Sequence, residues 1–400
     1  MNAPILHVTD AFPPERGGVE RVVEELAAAQ VRAGRRVQVL TKAVAGAPAR
    51  EVRADGVEVF RYPFAARPTP WKYLTSIRAS RRLARQIDRE SPPALVHFHL
   101  TLSAQGPLDL WRGRKPLVYS FYGPWHAEFA VEAEEIRRAA GGLYRAYLDE
   151  QMAWQRRRQI RLLRAVDRVA VLSEFSRGWV GQLAPERAAD AVRIPGGIDP
   201  DRFTPDAVPA IDWRSGADFV VLTVRRLARR MGLDLLLAAV AELKTRGLAV
   251  RCLIAGGGPL RRELEEQAEQ LGITAQVCFL GFVPDEQLQG LYRAADLFVV
   301  PSRAEENFGL IVLEAAACGV PVAATPVGSL PEMLAAVASP YQARETTATA
   351  LAEVIERAAR EREPQARTCR EIVSPRLRRE YSWPRIAAEF DRVYAGLGVD

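Results

Sequence analysis

The sequence has no apolar run long enough to cross a bilayer. Its longer runs, such as 218–224 and 296–300, fall far short of the about 20 residues a spanning helix needs. Cysteine is scarce: Cys252, Cys278, Cys318 and Cys369 are isolated, with no two at metal-ligand spacing. That excludes a disulfide framework and a cysteine metal site, and the four read as small buried hydrophobes in a reducing compartment. Lysine is nearly absent, so arginine supplies almost all of the positive charge behind the net +6. Arginine suits bidentate phosphate contacts, although biased codon usage gives the same excess and carries more weight. The chain runs at once into a strand-like Ile5–Thr9, which leaves no room for a signal peptide, and a cytoplasmic protein is expected.

What is present fits two α/β domains. A chain of 400 residues, 48% hydrophobic and 26% charged, exceeds one ordinary core and is not disordered. In the first half, strand-like Ile5–Thr9, Arg36–Thr41, Val57–Tyr62, Leu95–Phe98, Leu117–Phe121 and Val166–Leu172 alternate with helical patterns at Gly18–Ala33, Lys72–Arg89 and about Val131–Arg164. The second half repeats this with strands at Phe219–Val224, Val250–Ala255, Val277–Leu280, Leu297–Val300 and Val322–Ala324. Its helices are Leu233–Arg246, Leu260–Leu271, Asp285–Ala294 and Phe308–Cys318. Alternation of this kind predicts parallel sheets with right-handed crossovers. The Pro/Asp-rich stretch 195–209 punctuates the halves. The expected domains are 1–204, 205–380 and a C-terminal helix in 381–400.

In parallel α/β sheets ligands bind beyond the carboxyl ends of strands, so the loops after strands carry the information. The loop at 12–20 holds Gly17 and Gly18 before a helix, a backbone suited to an anion. Gly256-Gly257-Gly258-Pro259 makes a tight strand-to-helix turn without a Walker lysine. Either loop is equally well a plain turn. Arg225, Arg226, Arg229 and Arg230 crowd the loop after Val224, where a diphosphate site is favoured over a solvated basic turn. In the stretch 301–322, Glu306 is expected at a helix start and Glu314 inside an apolar helix, where a carboxylate must be paired or bound. The amides of Phe308, Gly309 and Leu310 would sit at the positive end of that helix.

These motifs, in this order, resemble the family-4 retaining glycosyltransferases. Glu306 to Glu314 matches their Glu-x7-Glu signature, and Gly17-Gly18-Val19-Glu20 their first phosphate loop. Pro195-Gly196-Gly197-Ile198-Asp199 with Phe203 is similar to their interdomain segment. Gly256–Leu260, Thr325–Glu332 and Ser382-Trp383 match three further motifs. The resemblance covers almost the whole chain. It implies the GT-B fold, two Rossmann-like parallel-sheet domains facing across a cleft. It also implies a retaining enzyme that moves a hexose-type sugar from a UDP- or GDP-linked donor to a hydroxyl acceptor.

The resemblance implies roles for single residues too. Glu314 would hold the ribose. Arg226, Arg230 and the amides of Phe308, Gly309 and Leu310 would neutralise the diphosphate, with Asn307, Gly17, Gly18 and Gly257 also at the donor. Glu306 would bind the sugar, and no metal or cofactor would be needed. Two positions depart from the pattern. Met231 stands at a phosphate-binding lysine, whose role passes to Arg230, and Tyr122 stands at a sugar-binding histidine. His126 is a shifted candidate for that histidine, and Tyr122, Gly123 and Trp125 would line the sugar pocket. His97 and His99 lie two apart at a strand end with no third metal ligand placed nearby, so they are read as a cleft-lining pair, His99 foremost. Acceptor choice is expected in the loops 64–73 and 122–147. Arg156, Arg157, Arg158, Arg161, Arg164 and Arg168 suggest a basic helix face. Peripheral contact with an anionic membrane is one reading of it, and a solvated face with a diffusible acceptor the other. No nucleic-acid partner is expected. A nucleotide-sugar epimerase and a nucleotide-sugar-binding protein without transfer are the alternatives.

Overall fold

The computed structural model describes residues 3–15, 17–64, 71–208 and 219–399, without the side chains of residues 71, 72, 135 and 139. Arg16, most of the acceptor loop at 64–73 and the end of the boundary stretch at Pro209 lie outside the described residues. The chain divides into two compact units, 1–197 with 383–400, and 198–382.

The first unit holds strands β1 (Ile5–Val8), β2 (Val37–Lys42), β3 (Arg50–Val52), β4 (Glu58–Tyr62), β5 (Leu95–Phe98), β6 (Leu117–Phe121), β7 (Arg168–Val171) and β8 (Val192–Arg193). Their order is β3-β4-β2-β1-β5-β6-β7-β8. The central strands β1, β5 and β6 are buried along their whole length, as parallel strands covered on both faces must be. The short edge strand β3 pairs antiparallel to β4. Its Arg50-Glu51-Val52 has no apolar run to announce it, and its charges guard the edge. The helix expected over Val131–Arg164 is two helices, Trp125–Ala139 and Gly142–Ala165. Ala140 turns extended (φ −75°, ψ 147°) between them, ahead of two glycines that continue a helix poorly. The C-terminal helix Trp383–Ala395 buries Ile386, Ala387, Phe390 and Tyr394, spaced for one face, in this unit. Arg35 ties it to the first helix by donating to Asp391 at 3.2 Å.

The second unit holds β9 (Phe219–Val224), β10 (Val250–Ala255), β11 (Val277–Gly281), β12 (Leu297–Val300) and β13 (Val322–Ala324), all parallel in the order β11-β10-β9-β12-β13. One apolar core runs from β9 and β10 through the helices Leu233–Thr245 and Ala348–Arg360. With the strands parallel, the loops after β9, β10, β12 and β13 emerge on one edge and bond to one another. Arg225 donates its amide to Ala255, Leu227 to Gly257, Arg303 to Arg230, and Thr325 its hydroxyl to Ser302.

Candidate active site

The loop after β9 lies directly on the glycine turn after β10. Gly256 has φ +125°, and a Cβ there would sit 1.9 Å from the Arg225 carbonyl oxygen. At Gly258 a Cβ would meet the Leu227 carbonyl at 2.4 Å. These two glycines therefore serve the approach of one loop to another rather than of a ligand. Gly257 between them faces open space, with nothing within 4 Å of its would-be Cβ.

This packing aims Arg225 inward. Its side chain is 4% exposed, and its guanidinium donates to Ser302 Oγ at 2.7 Å, to the Met231 sulfur at 3.0 Å and to Glu306 Oε2. Ser302 Oγ in turn donates to the same Glu306 oxygen at 3.0 Å. Burial pushes the Glu306 carboxyl up, but the charge and hydrogen bond of Arg225, with Arg230 and Ser302, hold it below the usual range. Glu306 is thus an anion clamped through one oxygen. Arg230 donates to the Glu305 carbonyl at 3.1 Å. Glu305 adopts φ +50°, a strained conformation for a non-glycine residue. Its Oε2 is buried without a hydrogen-bond partner, and burial raises its carboxyl against the pull of Arg230. Arg226, next along the loop, is exposed.

Glu306 does not lie at a helix start as the sequence suggested. The helix is Leu310–Ala317, and Gly309 precedes it in the left-handed region (φ 76°, ψ 56°), which stops the helix extending back to Glu306. Asn307 and Phe308 are buried in the connecting loop, ahead of the free amides of that helix. Glu314 is buried and accepts from the Tyr292 hydroxyl at 2.9 Å, the pairing that a carboxylate in an apolar helix requires.

The first unit corrects three expectations. His97 and His99 do have a third imidazole beside them. His7 sits in register with His97 on the neighbouring strand β1, and its Nδ1 lies 2.7 Å from His99 Nε2. His99 is 1% exposed, so almost none of its imidazole meets solvent. The Tyr122 hydroxyl is engaged by protein, donating to His99 Nδ1 at 2.7 Å. Hydrogen-bond chemistry fixes the direction of the chain. Gln30 Oε1 can only accept, so His7 Nε2 donates to it at 2.7 Å. Neutral His7 then accepts from His99 Nε2, and His99 accepts from Tyr122. From Gln30 the amide donates to Tyr394 Oη at 3.3 Å, the Tyr394 hydroxyl hydrogen-bonds His97 Nδ1 at 2.8 Å, and His97 Nε2 hydrogen-bonds Ser120 Oγ at 2.8 Å. These seven side chains form one buried network, with Ser120 at one end of it and Tyr122 at the other. Burial keeps all three imidazoles neutral, lowering His7 to about 4 and the other two well below the ordinary value. Every ring nitrogen of this trio, whose ligand atoms lie within 4.8 Å of one another, has a partner inside the protein.

The remaining first-unit candidates sit near the start of the helix Trp125–Ala139. His126 is half-buried against Trp179, its Nδ1 is buried without a partner, and burial and Arg156 lower its pKa. Trp125 packs edge-on to Tyr73 and Trp154. The Gly123 carbonyl accepts from Gln159 at 2.8 Å. At the first helix, a Cβ on Gly17 would lie 2.4 Å from a Glu20 carboxylate oxygen, while Gly18 faces open space. Of the basic face, Arg157 pairs with Glu150, Arg161 with Asp109 and Arg164 with Glu186, and Arg158 lies over Trp154.

Residues 16–202 match the description Glycosyltransferase Family 4, and residues 211–372 match Glycosyl transferases group 1. A GDP-mannose-dependent alpha-(1-6)-phosphatidylinositol monomannoside mannosyltransferase of Mycolicibacterium smegmatis is 30% identical over 347 residues, 82% of either chain. The chain belongs to glycosyltransferase family 4. A D-inositol 3-phosphate glycosyltransferase of the same organism is 34% identical over 346 residues, covering 80% of this chain and 74% of that one. Among solved structures, a sucrose-phosphate synthase from Thermosynechococcus elongatus superposes with a TM-score of 0.82 at 24% identity over 99% of both chains. Anabaena Alr3699/HepE in complex with UDP-glucose does so with 0.76 at 19% identity, over 99% of this chain and 100% of that one. The fold is GT-B.

In this glycosyltransferase the loops that the sequence singled out after β9 and β12 lie together, and several of the residues that organise them had no role assigned. Arg225, Ser302 and Glu305 escaped assignment, as did Tyr292 and His7. The one available signal was Arg225 itself, the first of four arginines after a strand.

Proposed function

We propose that the protein transfers a hexose-type sugar from a nucleoside-diphosphate sugar to a hydroxyl acceptor, with retention and without a metal. The observation that carries this reading is the convergence of Arg225, Arg230, Glu305 and Glu306 on one loop cluster, beside the start of the helix Leu310–Ala317. Opposite charges held at fixed positions next to free helix amides suit a ligand with a diphosphate and a hydroxylated ring. Arg226, Arg230 and the amides of 308–310 neutralise the leaving diphosphate, which is the charge a metal would otherwise supply. Glu306, already ionised, accepts from sugar hydroxyls, and Glu314 from the ribose. With no carboxylate assigned as nucleophile, the departing phosphate oxygen takes the acceptor's proton as its hydroxyl attacks from the same face. Bond cleavage and bond formation then share one face of the sugar, and configuration is kept.

GDP-mannose and UDP-glucose are the donors to try first, because one relative's name specifies the former and one structural neighbour was solved with the latter. The names of the relatives also direct the acceptor search to inositol phosphates and phosphatidylinositol mannosides. No helix among the described residues is long and apolar enough to cross a membrane. A lipid-linked acceptor would therefore be met from the membrane surface.

The experiment is incubation with each donor, with and without acceptor, followed by nucleotide release and by NMR of the product's anomeric centre. Transfer with retention, persisting in EDTA, is expected. Strict dependence on added magnesium defeats the metal-independent reading, and epimer formation without acceptor replaces transfer altogether.

A further inference from the structure

Arg225 belongs to no role assigned so far, yet it makes more contacts to the carboxylate of the site than Arg226 or Arg230. Its guanidinium touches Ser302 Oγ, Glu306 Oε2 and the Met231 sulfur, and almost none of it reaches solvent. Such burial of a charge is tolerated only with a partner. Glu306 is that partner, and the pair fixes the carboxylate: Oε2 is engaged by Arg225 and Ser302 together. The Met231 contact adds a second fact. The Met231 sulfur lies 3.0 Å from the nitrogen that holds Glu306, so the side chain at 231 reaches the same spot. Methionine there is uncharged, and the positive charge comes from Arg225 instead.

We infer that Arg225 is the positioning cation of the site: it orients Glu306 toward the sugar and supplies, from position 225, the charge that a lysine at 231 would supply. It acts through Glu306. The inference rests on the transfer reading for its ligand, but the hold on Glu306 is testable without one. Arg225→Gln keeps donors for Ser302 and Glu306 and removes the charge, and Arg225→Lys keeps the charge and loses the fork. Met231→Lys in the Arg225→Gln background moves the charge to position 231.

The test has two readouts, each after a thermal melt has confirmed folding. The first is the carboxyl carbon of Glu306 followed by NMR against pH. Its midpoint should rise by about one pH unit or more in Arg225→Gln and fall back in the Met231→Lys double variant. The second is calorimetric titration with GDP-mannose and UDP-glucose. Arg225→Gln should bind the parent's donor about 10- to 100-fold more weakly. Arg225→Lys should lose less, and the double variant should recover most of the loss. An unchanged Glu306 midpoint overturns the inference. So does donor binding by Arg225→Gln equal to the parent's, or a double variant that recovers nothing where Arg225→Lys recovers much. If the parent binds neither nucleotide sugar, the transfer reading falls, while the carboxyl titration still decides what Arg225 does.

Discussion

The first unit buries a cluster of polar side chains among its strands, the second gathers one in the loops after its strands, and the two clusters follow opposite rules. In the first unit, His7, His97, His99, Gln30, Ser120, Tyr122 and Tyr394 form a neutral network in which every imidazole nitrogen has a partner. In the second, Arg225, Arg230, Glu305 and Glu306 are charged, one backbone is strained, and a buried Glu305 oxygen has no partner. A satisfied neutral network has nothing left to offer a ligand and rigidifies the core. An open charged network keeps unsatisfied groups at a cost that a binding site can justify. The contrast separates a histidine cluster that looks functional from an arginine–glutamate cluster that is the better candidate.

The contrast breaks most sharply at Glu306. Glu306→Ala leaves the Arg225 guanidinium buried and uncompensated, which should destabilise the fold by about 3–5 kcal/mol in urea unfolding. Adding Arg225→Gln removes the stranded charge and should restore much of that stability, though not transfer. A single variant as stable as the parent would mean that the ion pair is not what holds Arg225 in place.

Acid distinguishes the clusters by pH window. His7 has a folded pKa near 4 against 6.5 unfolded. Between those values the unfolded chain binds more protons, so the stability is complete above 6.5 and is lost as pH falls toward 4. His7 alone contributes on the order of 3 kcal/mol, and His97 and His99 act in the same direction. Asp10, at the end of β1, opposes them: burial raises its carboxyl to about 6 despite Lys42, so protonation there favours the folded state. In an Asp10→Asn background, urea-unfolding stability should therefore drop by about 3 kcal/mol or more from pH 6.5 to pH 4. The Glu306 contribution is lost only below its unfolded value of 4.5. No decline before pH 4.5 would show that the network takes up protons without opening.

How far the sequence foretold these clusters follows from what each depends on. The strands of the second unit were legible because β12 is a continuous apolar run and β9 and β10 are broken only by Thr223 and Arg251. The Arg-rich loop and the Glu306–Glu314 spacing were legible because they are local. Strand β3 was not, since a charged edge strand carries no burial pattern. The histidine network was not, because His7, Gln30 and His97 meet only after β1 and β5 pair in register and the first helix folds over them. Glu305 went unnoticed because its φ and its orphaned oxygen depend on how the loop lands. The partner of Tyr122 was hidden for the same reason: beside a glycine its hydroxyl looks available, and only the fold gives it to His99.

Tyr122→Phe sharpens that last point. Removing one hydroxyl from this buried network leaves His99 Nδ1 without its donor and should cost about 1–3 kcal/mol of stability. Donor affinity and KM should stay as in the parent, because the hydroxyl faces protein. A raised donor KM with unchanged stability would return Tyr122 to the sugar pocket.

The smallest effect on the fold is expected at Arg226. Its side chain is exposed on the loop that Arg225 enters buried, so the two neighbours separate folding from function within one dipeptide. Arg226→Ala removes no buried contact and should change urea-unfolding stability by less than about 0.5 kcal/mol. Turnover should nonetheless fall by about 10- to 100-fold if its guanidinium meets the diphosphate, the worth of a charge-assisted hydrogen bond where charge develops. An exposed cation is also screened, so the ratio of parent to variant activity should shrink as salt rises. At Arg225, which is shielded from solvent, the corresponding ratio should hold nearly constant. If Arg226→Ala turns over like the parent at every salt concentration, neutralising the leaving group rests on Arg230 and the amides at the start of the helix Leu310–Ala317.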